Sequence, residues 1–355
     1  MSETTGTLKP QTIGVLEPDT HVTGIQHSPC GKVLCGASFD QTVRRWDLTT
    51  DEFPPPALPS VTGHNGFVSG VAFRPSQGVA YSADSWGRLQ AWPYLAENPD
   101  SLWSINEAHD GWIRGLAVAA DGERLVTCGR DKMVRMFDTN DGKLIREFSG
   151  HREDVFALAV HPSGQWVVSA DLLGRIVQWD VATGEIVREF DGSDFHLLHR
   201  LQDIAGIRKL SFAAGGKTLI VSGGFPSGGA NVRGHAHVRL IDFKSGETTH
   251  DMPIGEENKD VFAHDVHLHP DGFFIIVTTG QPGQGSLLFQ RPGEKEPLYK
   301  LNKGTINCHS ISMAPDGKRF VVSATNTGSN GNGQRLDKEG KYIANHSPLH
   351  FFELT

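Results

Sequence analysis

The chain has 355 residues, 41 of them glycine, with a formal charge of −8 and a pI near 6.1. That balance argues against general nucleic-acid binding, which needs a cationic surface. No apolar run is long enough to span a bilayer, and the N-terminus lacks the basic-then-apolar order of a signal peptide. Neither a nucleic acid nor a membrane is therefore expected as a partner. The cysteines at 30, 35, 128 and 308 show no metal or disulfide spacing, and Cys35 and Cys128 read as small buried residues. A reducing, cytoplasmic setting is the expectation.

Residues 1–10 read as a polar tail, followed by a β-patterned run over 11–16. A unit of a little over forty residues then recurs, clearest at 63–92, 108–138 and 150–180; His64 to His109 is 45 residues and His109 to His151 is 42. A repeat of that length is one supersecondary unit stacked many times. Each unit holds four short β runs punctuated by Gly, Pro, Ser and Asp, with no helical periodicity of useful length. In the most regular unit the runs are 155–161, 165–170, 175–180 and 185–190.

First strands are expected to start near Val22, Val68, Ile113, Val155, Ile207, Ala263 and Cys308. Third strands are expected to end at Trp46, Trp92, Phe137, Trp179, Ile241, Phe289 and Phe352. That makes about seven units. The last has three strands before Thr355, so the run over 11–16 is expected to supply its outer strand and remove the open edge. The expectation is all-β: one domain over 11–355, a seven-bladed propeller of four-stranded antiparallel sheets. Units five to seven depart from the period, with insertions at 191–203, 223–237 and 326–350.

Gly63-His64, Gly150-His151, Trp46-Asp47, Trp179-Asp180 and Phe137-Asp138, at this joint spacing, resemble the WD-repeat (G-beta-type repeat) family of β-propellers. The resemblance implies a hydrogen-bond chain inside each blade. It runs from the histidine through a Ser or Thr of the second strand to the Trp of the third, and an Asp in the turn between those strands completes it. His64, Ser82 and Trp92 match, as do His151, Ser169 and Trp179, but the turn position holds Trp86 and Leu173. His109, Thr127 and Asp131 match in the third unit, where Phe137 has no donor. Asp40 and Trp46 match in the first, where Pro18 stands in place of histidine. No unit is expected to hold all four groups, so packed apolar layers are expected to supply most of the stability.

In a propeller the second-to-third connections and the links between blades emerge on one face, where all three insertions are expected. First-strand entrances open there too. His21, Phe67, Trp112, Asp154, Phe262 and Asn307 share one entrance position. Thr23, Ser69, Arg114, Phe156, Arg208, His264 and His309 lie two residues further on. Strand alternation puts the two sets on the same side. Trp112, Arg114, Phe156, Arg208, His264 and His309, with Arg233 and Tyr342 from the insertions, are the candidate partner contacts, since Arg and aromatic residues dominate interface hot spots. A carboxylate or phosphate on the partner would suit this arc.

The His–Ser–Asp sets (His64, Ser82, Asp84; His151, Ser169, Asp171) recur in successive units, which argues against a single hydrolase site. A metal site from His264, His309, His235 and His346, or from the His196-x-x-His199 pair in a helical turn, was weighed against the structural use of isolated histidines. The glycines at 328, 331 and 333 precede no helix, so no phosphate cradle is read there. The resemblance implies a non-catalytic scaffold without a cofactor that grips a peptide or loop of another protein. A metal-dependent or small-molecule enzyme on the same face is the alternative.

Overall fold

A computed structural model describes residues 9–228, 233–281, 283–325, 335–336, 339, 342–343 and 346–355. It contains seven four-stranded antiparallel sheets. Innermost strands begin blades 1 to 7 at Val22, Val68, Ile113, Val155, Ile207, Phe262 and Ser310. Each innermost strand touches the next, and that of blade 7 touches that of blade 1, so the ring closes. Blade 7 takes its outer strand, Pro10–Leu16, from the N-terminus; it pairs with Leu349–Leu354 from Pro10↔Leu354 to Leu16↔Leu349. No helix among the described residues is long and apolar enough to cross a membrane.

The core consists of seven seams, one between each pair of neighbouring blades. Strand alternation explains why blade 4 reads as an unbroken apolar run. Val167 packs into the seam with blade 3 and Val168 into the seam with blade 5; Val177 and Ile176 divide the same way. Each such fully buried side chain contributes roughly 1.5–3 kcal/mol. Ser310, Ser312, Ser323 and Ser347 stitch the 7–1 seam by bonding to backbone groups of Val22, Ile25 and His27. At Gly87 (φ +88°) a Cβ would come 2.0 Å from the His109 carbonyl oxygen of the following link. Only glycine lets the turn approach that closely.

The hydrogen-bond chains correct one expectation. Blades 2 and 4 each hold all four groups, because the carboxylate comes from the end of the second strand rather than from the turn. In blade 2, Trp92 Nε1–H donates to Ser82 Oγ (3.1 Å), Ser82 lies 2.7 Å from His64 Nε2, and His64 Nδ1 lies 3.1 Å from Asp84. Blade 4 repeats this with Trp179, Ser169, His151 and Asp171. The reach is possible because Asp84 and Asp171 sit two residues past their serines on the same strand face. In blade 3, Asp131 does come from the turn, His109 joins it to Thr127, and Phe137 fills the tryptophan position. Asp40 of blade 1 instead binds Thr42 and Arg44.

Asp84 is buried, which raises its pKa. The His64 N–H and the backbone N–H groups of Arg88, Asn65 and Trp86 outweigh that and hold it at about 2.

Candidate functional site

The inner strands of six blades share one irregularity. Pairing with the second strand skips a residue at Thr23, Ser69, Arg114, Phe156, Arg208 and His264. A bulge of this kind leaves one residue unpaired and re-aims its side chain. These are the residues expected two positions inside the entrance, but simple alternation is not what places them. The bulge turns Arg114, Arg208 and His264 toward the next blade around the mouth of the channel.

The result is a belt of rings and guanidiniums. The Arg114 guanidinium lies 4.4 Å from the Trp112 ring and 4.7 Å from that of Phe156 in blade 4. Arg208 lies 4.2 Å over Phe262 of blade 6. His264 meets His309 of blade 7 edge-on at 5.5 Å, and His309 meets His21 of blade 1 at the same distance. His21 packs on Phe39, which stacks on Phe67 at 4.4 Å. Cation–π contacts contribute roughly 0.5–2 kcal/mol each. Phe39 escaped the sequence reading because it lies just beyond the second strand of its blade. Trp86, 68% exposed in the second-to-third turn of blade 2, was read there only as a missing aspartate. The glycine after the bulge in blades 1 to 3 (Gly24, Gly70, Gly115) was the available signal, since glycine within a strand often marks one.

Burial pushes the His309 pKa down to about 3, with His21 adding to the effect. Burial, with Arg208 and His309, holds His264 well below its ordinary value, and burial with His346 lowers His21. The belt histidines are therefore neutral at pH 7, and its cations are the two arginines. Burial, and then Arg114, lowers Arg208 to about 10. Among the described residues Arg114 has one ion-pair partner, Asp154, at 3.7 Å.

The insertions at 191–203 and 223–237 meet on this face. The first is a 3-10 turn, Ser193–Phe195, and a hairpin of His196–His199 with Gln202–Ala205. This rules out a helical His196–His199 pair; His196 instead faces Asp203 at 2.8 Å. The second insertion lengthens two strands of blade 5, Thr218–Pro226 and Gly234–Asp242. Phe195 packs edge-on against Phe225 at 4.7 Å, and Arg239 pairs with both Asp194 and Asp251. The hairpin is thus fixed to the blade.

Arg233 is exposed at the tip of the lengthened strands, where its carbonyl accepts the Ser227 N–H. Tyr342 lies in a two-residue strand paired with Leu336; its side chain, and most of 326–350 including the glycines at 328, 331 and 333, lie outside the described residues. The structure therefore joins six of the eight candidate contacts in or beside the belt, and among the described residues no contact ties Arg233 to it. Among the described residues no three His, Cys, Asp or Glu side chains are arranged to hold a metal ion. On the opposite face, a cavity of about 210 Å³ at the 7–1 seam lies under Phe53, whose ring covers Gly14 of the closing strand. We assign it to packing of the ring closure, since the belt lies at the other end of the channel.

The family model for the WD domain, G-beta repeat, matches residues 11–47, 101–138 and 142–180. Each match runs from an outer strand through the three inner strands of another blade, so the sequence repeat is offset by one strand from the blade. The chain is 30% identical over 156 residues to "Telomerase protein component 1" of Mus musculus, covering 42% of this chain and 6% of that protein. It is 26% identical over 180 residues to "Transcription initiation factor TFIID subunit 5" of Caenorhabditis elegans, covering 47% and 24%. Against "Periodic tryptophan protein 2" of Arabidopsis thaliana it is 23% identical over 337 residues, covering 86% and 34%. The matches thus span between 6% and 34% of the length of these relatives.

Proposed function

We propose that this chain, a seven-bladed propeller built from WD repeats, is a protein-interaction scaffold that grips a peptide or loop of a partner on the elaborated face and has no chemistry of its own. The observation that carries the reading is the belt at the channel mouth. Four of the six bulges turn Arg114, Phe156, Arg208 and His264 onto a rigid rim, and binding to a preorganised surface loses little conformational entropy. The names of two relatives, a "component" and a "subunit", describe parts of larger assemblies. The four free cysteines suit a reducing compartment, and a cytoplasmic setting is part of the proposal.

The test is Arg114→Glu combined with Arg208→Glu. Partner capture from native lysate should be abolished while the melting curve keeps its shape. Full capture by the double variant would remove the belt from the reading.

A further inference from the structure

The belt carries a charge that the fold does not balance. The Nε atoms of both Arg114 and Arg208 are shielded from water and have no hydrogen-bond partner. Among the described residues Arg208 has no ion pair at all, while Arg114 has only the long contact to Asp154. The buried acid further down the channel, Asp265, is already taken by Lys209, the Ser310 hydroxyl and the Ile311 N–H. Both side chains are only half-buried, so the unmet group is the single shielded Nε–H of each, which costs free energy while it lacks a partner. Stacking on Phe262 does not require the charge, because an apolar side chain of similar length would cover the ring as well.

We propose that Arg114 and Arg208 form an anion site at the channel mouth that takes a carboxylate or phosphate group of the bound segment. The inference rests on the scaffold reading and specifies the chemistry of its ligand. A carboxylate or phosphate at the mouth would meet N–H groups of these guanidiniums, which the flanking Trp112, Phe156 and Phe262 rings hold in place. Planar forks of this kind pair with carboxylate and phosphate oxygens. The neutral His264 and His309 continue the rim without adding charge, and exposed Phe67 and Trp86 offer an apolar platform across the same face.

The test uses the whole chain and two small probes, inorganic phosphate and glutarate, each at about 20 mM against sodium chloride of equal ionic strength. Either probe should raise the melting temperature by roughly 1–3 °C. Arg208→Met, which keeps the stacking length, should lose that rise while melting in chloride at or above the wild type. A response to phosphate alone assigns the site to a phosphorylated residue, and a response to glutarate alone to Asp, Glu or a chain terminus. No response to either probe, or an unchanged response in Arg208→Met, would overturn the proposal. If Arg208→Met does not fold, Arg114→Met carries the same test. Partner capture that is lost in the double glutamate variant, with no anion response in the wild type, would remove the anion site and leave the scaffold reading standing.

Discussion

Blades 2 to 4 and blades 5 to 7 meet the same packing problem with different chemistry. In the first group a polar chain runs through each sheet, complete in blades 2 and 4 and lacking only its indole in blade 3. In the second group that chain is absent and rings take its place. Phe190, Phe195 and Phe243 fill the 4–5 seam, and Phe273, Phe289, Phe320 and Phe352 the 6–7 seam. In blade 5 the register puts Val221 where blade 4 has Ser169; the neighbouring Ser222 lies on the other strand face, and its buried hydroxyl has no partner. Besides Arg239–Asp251 inside the blade, its ion pairs run outward, from Arg239 to Asp194 in the insertion and from Lys209 to Asp265 of blade 6. Blades with an internal staple keep short connections. Blades held by their neighbours carry the insertions, whose own groups become part of the support.

The strongest way to break this contrast is to remove a neighbour. Blade 7 depends on Pro10–Leu16 for its outer strand, so deleting residues 1–17 exposes a whole ladder and opens the ring. The expected loss is at least about 5 kcal/mol in urea unfolding, enough to abolish cooperative folding. A deletion variant with the wild-type midpoint would show that closure is dispensable. Next comes a pair of serines. Ser169→Ala strands Trp179 Nε1 and the His151 Nε2 acceptor inside blade 4, and about 3 kcal/mol should be lost. Ser222→Ala removes a hydroxyl that binds nothing and should stay within about 0.5 kcal/mol of wild type. Equal losses at the two sites would erase the distinction between the groups.

Acid should separate the groups as well. Asp84 has a folded pKa of about 2 against an ordinary 3.8. Its contribution is therefore complete above pH 4 and is lost as pH falls toward 2, amounting to about 2 kcal/mol. His309 is depressed from 6.5 to about 3 and stays neutral in the fold while the unfolded chain takes up a proton. Its contribution is complete above pH 6.5 and begins to fall there, well before that of the staples. Asp84→Asn should flatten the lower window and His309→Asn the upper one. A single window that neither variant changes would mean that other groups control acid stability.

The contrast was partly legible in the chain. The repeat period, the Gly-His pairs and the Trp positions fixed the blade count and the closing strand, because they recur at constant spacing. Asp84 and Asp171 were misread because spacing along the chain does not show whether a carboxylate at the strand end or one in the following turn reaches a histidine. That depends on which strand face each carboxylate leaves, and Asp131 reaches the same ring atom from a turn. The belt residues were found by alignment, but their placement was attributed to alternation. The bulge that turns them lies in the register between two strands and has only a following glycine, in three blades, as its trace. The hairpin over 196–205 carries no Asn-Gly signal at its tip. Arg200 and Leu201 take up the positive φ values there, 50° and 63°, so the segment reads as an irregular loop.

The smallest effect tests which atom matters in the staple. Blade 3 does without the indole donor, since Phe137 stands where Trp92 and Trp179 stand. Copying this with Trp179→Phe removes one hydrogen bond to Ser169 but leaves Ser169 bonded to His151 and His151 to Asp171. Only an acceptor lone pair goes unused, so the expected cost is about 1 kcal/mol plus a small packing term. The order of the two losses is the informative result. If Trp179→Phe costs less than Ser169→Ala, the hydroxyl is the joint of the chain, and blade 3 keeps its stability by keeping Thr127. If Trp179→Phe costs as much, the indole is the joint, and blade 3 must be the weakest of the regular blades. Hydrogen exchange at the amides of Arg124–Gly129 and Trp166–Asp171 would then show blade 3 opening first.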